Sequence, residues 1–294
     1  MLPSCLKLIA AIAALLLLPV EASNASWLSD LFKNKSQPDK SEAHVASRPR
    51  IVKHAAPAAA KPSPEPAVTT CDPAKFRIVL DVGHTAKSEG AISARNVPEF
   101  TFNLRLAQGI EEKLKAEGFA ETRLLVTEGR ARPSLVRRVA AANDLHANLF
   151  LSIHHDSVPD KLLENWEFEG QKRHFSDRFS GYSVFVSHDN PDFKTSLAFA
   201  ELVAKEMKAQ GLDYAHQYTQ AIMGRYQHPL LDKENGVYSY DKLVVLRTTR
   251  MPAVLLEAGS IINRDEELKM DSTERRDMIG NAVAAAVKKF CEPK

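Results

Sequence analysis

The chain has 294 residues, with 39 Lys+Arg against 37 Asp+Glu for a net charge of +2, and it is 44% hydrophobic and 26% charged. That length admits one large domain or two small ones, and the apolar content can fill a sizeable core. The near-balanced charge excludes a nucleic-acid binder driven by counterion release, and the lack of a long apolar run beyond the N-terminus excludes a polytopic membrane protein.

Residues 1–22 read as a signal peptide. Lys7 supplies the positive region, Leu8 to Val20 the apolar run, and Val20-Glu21-Ala22 a small-x-small cleavage site. The run is shorter than the roughly 20 residues a membrane span needs, so cleavage is expected over retention as an anchor. The expected localisation is therefore periplasmic, with the membrane met only transiently. Residues 23–75 form a Pro/Ala-rich flexible linker that includes Pro38, Pro49, Pro57, Pro62, Pro64 and Pro66. Such a composition buries too little apolar surface to offset ordering entropy.

From Phe76 the pattern alternates between strands and helices. Strands are predicted at Phe76–Val82, Thr122–Val126, Asn148–His154, Gly181–Val186 and Val254–Glu257. Helices are predicted over Glu99–Glu117, from a Ser134 cap to His146, over Lys194–Gln210 and over Arg275–Phe290. This alternation implies an α/β single domain spanning 76–291, with a mostly parallel twisted sheet and helices on both faces. Cys71 and Cys291 flank that domain. Domain ends often lie close together and an exported protein meets an oxidising compartment, so a Cys71–Cys291 disulfide is one reading and two unpaired thiols in frayed ends the other.

In open α/β sheets, sites form outside the carboxyl ends of strands. The first strand ends at His84, the third at His154-His155-Asp156 and the strand at 254 at Glu257, while Glu99 opens the first helix. Two imidazoles and a carboxylate make an open zinc site, which leaves a position for water or a substrate oxygen. Amide hydrolysis also needs a carboxylate that moves protons without binding the metal. His84, Glu99 and His154 fit the first three places, and Glu257 the last. A structural role for strand-end histidines is the alternative reading.

The segments 78–84, 97–107, 134–143, 149–157 and 245–263 together resemble the zinc-dependent N-acetylmuramoyl-L-alanine amidases of the Amidase_3 type, AmiC-like cell-wall hydrolases. The resemblance covers essentially all of 76–290. It implies Zn2+ bound by His84, Glu99 and His154, with Glu257 as the catalytic residue and peptidoglycan as the substrate. It also implies activation by a LytM-type regulator. The chain departs from the family pattern at Thr85-Ala86, where Gly-Gly is usual, at His155-Asp156 and at Ser260.

Beyond these, Arg138 and Asn143 are expected to pack and hydrogen-bond the rim. His155, on the opposite strand face from His154, is read as a substrate-facing or supporting group, and Arg247 either as a contact for a substrate carboxylate or a developing oxyanion or as an ordinary solvated or ion-paired arginine. The stretch 158–180 is long for a crossover and carries Glu164 and Glu167. Some relatives carry a regulatory helix there, so the two readings are a lid plugging the metal through Glu164 or Glu167 and a solvated charged loop. A second irregular stretch, Tyr214 to Tyr240, carries aromatics suited equally to glycan contacts, peptide contacts or a plain surface loop. The readings competing with the amidase are an inactive wall-binding scaffold and another zinc hydrolase, such as a carboxypeptidase or deacetylase. No G-x-S-x-G motif supports a serine hydrolase.

Overall fold

The structure is a computed structural model that describes residues 71–292, so the expected signal peptide and nearly all of the linker lie outside the described residues. No described helix is long and apolar enough to cross a membrane. In chain order the elements begin with β1 (Ile78–Val82), α1 (Glu99–Ala116), β2 (Thr122–Leu125), α2 (Ala131–Asp144) and β3 (Leu149–Asp156). A hairpin of β4 (Glu164–Phe168) and β5 (Gln171–Phe175) follows, then β6 (Ser183–Val186) and α3 (Phe193–Ala209). The chain closes with β7 (Leu230–Asp232), β8 (Val237–Ser239), α4 (Val244–Arg247), β9 (Ala253–Ser260), α5 (Arg264–Asp271) and α6 (Thr273–Cys291).

Seven strands form one sheet in the order β2-β1-β3-β9-β6-β8-β7. The pairs β1/β2, β1/β3, β3/β9 and β6/β8 are parallel, whereas β6 runs antiparallel to β9 and β7 to β8. The sheet is thus mixed and mostly parallel, as expected. Its central strands are buried on both faces, which explains their near-continuous apolar runs. One face packs Ile78, Leu80, Leu151 and Leu256 against Phe102, Leu106, Ile110 and Leu114 of α1 and against α3 and α6. The other packs Val79, Phe150 and Leu255 against Leu135 and Val139 of α2 and Leu246 of α4. Two-residue alternation along each strand sends neighbours to opposite cores.

Two sequence expectations need adjustment. Ser134 does not cap α2, which begins at Ala131; its hydroxyl instead donates to the Ala131 carbonyl at 2.6 Å. Pro133 is tolerated inside because first-turn N–H groups have no helical acceptor. The pieces β7, β8 and α4 span three or four residues each, less than the length over which a period can be read.

Cys71 and Cys291 form a disulfide with a Cα–Cα distance of 4.9 Å across a separation of 220 residues. It ties the segment before β1 to the end of α6. Closing so long a loop restricts the unfolded chain, so Cys71→Ser should lower stability by roughly 4 kcal/mol. Urea unfolding of the oxidised protein and the variant measures this; equal midpoints would show that the bridge adds nothing.

Candidate active site

The parallel strands β1, β3 and β9 end on the same rim, and their alternation decides which side chains meet. Asp81, Ser152, His154 and Glu257 lie in phase with the α2-facing residues Val79, Phe150 and Leu255, and His154 pairs in register with Glu257. Glu99 reaches the same rim from the N-terminus of α1, where the helix dipole favours a carboxylate.

His84, Glu99 and His154 each offer a ligand atom, and these atoms lie within 4.8 Å of one another. Glu99 sits between the two rings: its Oε2 is 3.0 Å from His84 Nε2 and its Oε1 is 2.9 Å from His154 Nδ1. The backbone N–H groups of Ala91 and His155 donate to Glu99 at 3.0 and 3.3 Å, and Asn103 Nδ2 donates at 3.2 Å. Burial pushes the Glu99 carboxyl up, but the two adjoining imidazoles outweigh it and hold the group well below the usual carboxylate range. Burial lowers His154 against the opposing pull of Glu99, keeping its ring neutral and fit to ligate.

The backbone around the cluster is equally particular. His84 has φ 67°, a left-handed conformation costing a non-glycine residue on the order of 1 kcal/mol or more. Arg138 holds it there: its Nη2 donates to the His84 carbonyl, while its Nη1 is 3.2 Å from Asp81 Oδ2. Thr85, standing where the family pattern has glycine, donates its hydroxyl to Gly129 O at 2.6 Å and accepts from Ser88 N at 2.9 Å.

Two glycines make room for these side chains. A Cβ on Gly83 would lie 2.5 Å from His154 Cε1 and Nε2, and one on Gly90, at φ +83°, would lie 2.4 Å from Glu99 Oε2. Gly83→Ala is therefore expected to displace the His154 ring and to weaken divalent-metal affinity by roughly 10–100-fold. Chelator competition checks this, and unchanged affinity would dissociate the ring's position from metal binding.

Glu257 is 4% exposed, and its Oε2 is buried with no hydrogen-bond partner among the described residues. Burial first, then the neighbouring carboxylates Asp156 and Glu99, push its carboxyl well above the usual range. It lines a cavity of about 570 Å³ together with His84, His154 and Arg138. That volume suits a small-molecule or oligomer-end substrate.

Several expected site residues lie elsewhere. His155 is 1% exposed on the α1 side of β3, where its Nδ1 donates to Asn103 Oδ1 at 2.8 Å and its ring packs 5.6 Å from Phe102. Burial lowers its pKa to about 3. It packs against α1 and does not line the cavity. Arg247 is exposed at the end of α4 and does not line the cavity, because the helix turns Val245 inward instead.

The lid candidate is not a helix. Residues 164–175 form the β4–β5 hairpin, with Glu164 and Glu167 exposed, and no residue of 158–180 lines the cavity. Trp166 anchors that hairpin by donating to Ala94 O at 3.2 Å, with the Arg95 and Arg264 guanidiniums 5.5 and 5.1 Å from its ring centre. Aromatic alternation and the Glu169-Gly170 turn, both at positive φ, were the available signals for a hairpin. Arg138 and Asn143 bond the rim as expected, Asn143 Oδ1 accepting from Arg250 N at 2.9 Å.

Sequence reasoning passed over Asn103 and the pair Asp156–Tyr218. The Tyr218 hydroxyl donates to Asp156 Oδ2 at 2.7 Å, and burial raises Asp156 to about 7. Asn103 falls one turn after Glu99 and so carried a helical-spacing signal; Tyr218 belongs to the aromatic stretch noted in the sequence, but its aperiodicity gave no sign of the bond to Asp156.

A family profile described as N-acetylmuramoyl-L-alanine amidase matches residues 78–289. A putative N-acetylmuramoyl-L-alanine amidase of Buchnera aphidicola subsp. Baizongia pistaciae is 23% identical over 224 residues, covering 72% of this chain and 95% of the relative. AmiC, an N-acetylmuramoyl-L-alanine amidase of Escherichia coli O6:H1, is 22% identical over 236 residues, covering 72% of this chain and 52% of its own length. Among solved structures, the catalytic domain of CwlV from Bacillus (Paenibacillus) polymyxa var. colistinus is 26% identical with a TM-score of 0.53, covering 74% of this chain and 98% of that one.

Proposed function

This chain belongs to the Amidase_3 family of N-acetylmuramoyl-L-alanine amidases, and from that premise we propose an exported, zinc-dependent peptidoglycan hydrolase whose proton carrier is Glu257. The bond cut is the amide joining the lactyl group of N-acetylmuramic acid to L-alanine of the stem peptide. The observation carrying this reading is a His84–Glu99–His154 donor set whose two histidines line one cavity with Glu257, a carboxyl oxygen of which has no hydrogen-bond partner among the described residues. Two imidazole nitrogens and one carboxylate suit zinc with an open coordination position.

Zinc bound there would polarise the scissile carbonyl and lower the pKa of a water molecule to about 7. The chain's own residues do the rest. Glu99, fastened by Ala91, Asn103 and His155, orients both imidazoles. Glu257 takes a proton from the attacking water as its oxygen joins the carbonyl carbon. The same carboxyl returns the proton to the departing nitrogen as the C–N bond breaks, leaving a lactyl carboxylate and a free L-alanine amine. A carboxyl raised by burial is suited to both exchanges near neutral pH.

Peptidoglycan lies outside the cytoplasmic membrane, which agrees with residues 1–22 as a signal peptide, 23–75 as a linker and 76–291 as the periplasmic catalytic domain. The Cys71–Cys291 disulfide supports an oxidising compartment. A LytM-type activator rests on the resemblance alone. Digestion of purified peptidoglycan followed by mass spectrometry tests the reaction. Free stem peptides beginning at L-alanine are expected; release of terminal D-alanine or acetate would point to a carboxypeptidase or deacetylase, and no product to a scaffold.

A further inference from the structure

The strand order β1-β3-β9-β6 lays the cavity out from one unlike end to the other. The loop after β1 brings the exposed Lys87 and Glu89 beside the His84 end. Past His154 on β3 and Glu257 on β9 come Phe185 of β6 and then Tyr218, Tyr226, His228 and Tyr240 from the segment 214–240. These rings form one continuous box: Phe185–His228 centroids lie 5.2 Å apart, Tyr218–His228 5.4 Å and His228–Tyr240 4.3 Å. The segment is fastened to the rim by the Tyr218–Asp156 bond and by Gln217 Nε2 donating to Asp156 Oδ2 at 3.2 Å.

Among the cavity-lining residues of this end none is a lysine, an arginine or a carboxylate; the exposed Arg225, whose Nη2 donates to the Tyr226 hydroxyl at 2.9 Å, stays outside the lining. Burial lowers His228 to about 4, so its ring is neutral at physiological pH, and burial raises Tyr240 to about 12. His228 Nδ1 lies 3.1 Å from the Ser239 carbonyl and donates to it, which leaves Nε2 as an acceptor on a wall otherwise made of aromatic rings and tyrosine hydroxyls. A stem peptide carries carboxylates and an ammonium group, and desolvating these here without partners would cost several kcal/mol. A muramyl residue whose lactyl carboxyl is tied up as an amide is uncharged; it offers sugar C–H faces for the rings and an N-acetyl N–H for an acceptor.

We propose that the aromatic end is the subsite for an uncharged N-acetylated amino sugar, so that the glycan half of the substrate lies against His228 and Tyr240 and the ionised peptide runs out past Lys87 and Glu89. This assignment rests on the amidase reading and sets the direction in which substrate lies across Glu257. Aromatic faces give the sugar ring a flat apolar platform with a polar handle.

The test compares N-acetylmuramyl-tripeptide with D-lactyl-tripeptide, which keeps the scissile amide and lacks the sugar. Wild type should favour the sugar-bearing substrate in kcat/KM. His228→Leu and Tyr240→Leu should each cut that preference roughly three- to tenfold, largely through the KM for the sugar-bearing substrate. Equal losses on both substrates, or an unchanged preference, would overturn the assignment while leaving the amidase reading intact. If wild type cleaves neither substrate, the amidase reading itself fails and this one falls with it. A second measurement needs no variant: saturation-transfer NMR of wild-type protein with N-acetylmuramic acid amide should show transfer to the acetyl methyl group, and absence of transfer would overturn the subsite.

Discussion

Glu257→Gln is expected to lower kcat by roughly 10²–10⁴-fold while the protein still holds about one zinc per chain. Glutamine keeps the size and one acceptor oxygen of the side chain, so packing around the strand is conserved. It cannot take or return a proton. Glu257 also lies outside the cluster of potential metal ligands, so metal content should not follow activity. Single-turnover cleavage of muramyl-peptide, read beside elemental analysis of the same preparation, separates the two quantities. A variant that retained most of its rate would remove Glu257 from the proton path. One that lost its metal would show the carboxyl to be a ligand.

Glu99→Ala has the converse signature: metal and activity lost together. Its carboxylate contacts both imidazoles and receives hydrogen bonds from Ala91, Asn103 and His155. Removing it leaves these buried donors without an acceptor and deprives the proposed metal site of one of its three donors, so activity should fall below detection. The folded state should also lose about 3–5 kcal/mol. Glu99→Gln, which keeps an acceptor, should recover much of the stability but little of the metal affinity. Wild type treated with chelator should match Glu99→Ala in activity and, unlike it, regain full rate when zinc is returned. Persistent activity in Glu99→Ala, or a chelated wild type that stays active, would reject a metal role for this cluster.

Much of the molecule could be read before any coordinates. Long elements announced themselves: α1 with Phe102, Leu106, Ile110 and Leu114 on one stripe, and β1, β3 and β9 as apolar runs closed by glycine, histidine or glutamate. Those runs also located His84, His154 and Glu257 at strand ends, where an α/β sheet gathers its chemistry. Even the division of His154 from His155 followed from two-residue alternation, although what His155 meets did not. Its Asn103 and Phe102 partners belong to α1, and only the crossover that lays α1 on that face brings them near.

Tertiary structure alone decided the remainder. Glu164 and Glu167 are charged residues near His154 in sequence, yet pairing of β4 with β5 and the packing of Trp166 against two arginines carry them into solvent. Arg247 sits a few residues from the β9 motif but is turned outward by a single helical turn. The aromatic box is the sharpest case: Phe185, Tyr218, His228 and Tyr240 have no shared period and come from separate elements, joined by the antiparallel docking of β6 on β9 and by the Tyr218–Asp156 bond. Periodicity reports what a segment buries within its own few turns, because propensity and amphipathicity are local. Which side chains share a cavity depends on strand order and register, which are set by contacts between distant segments.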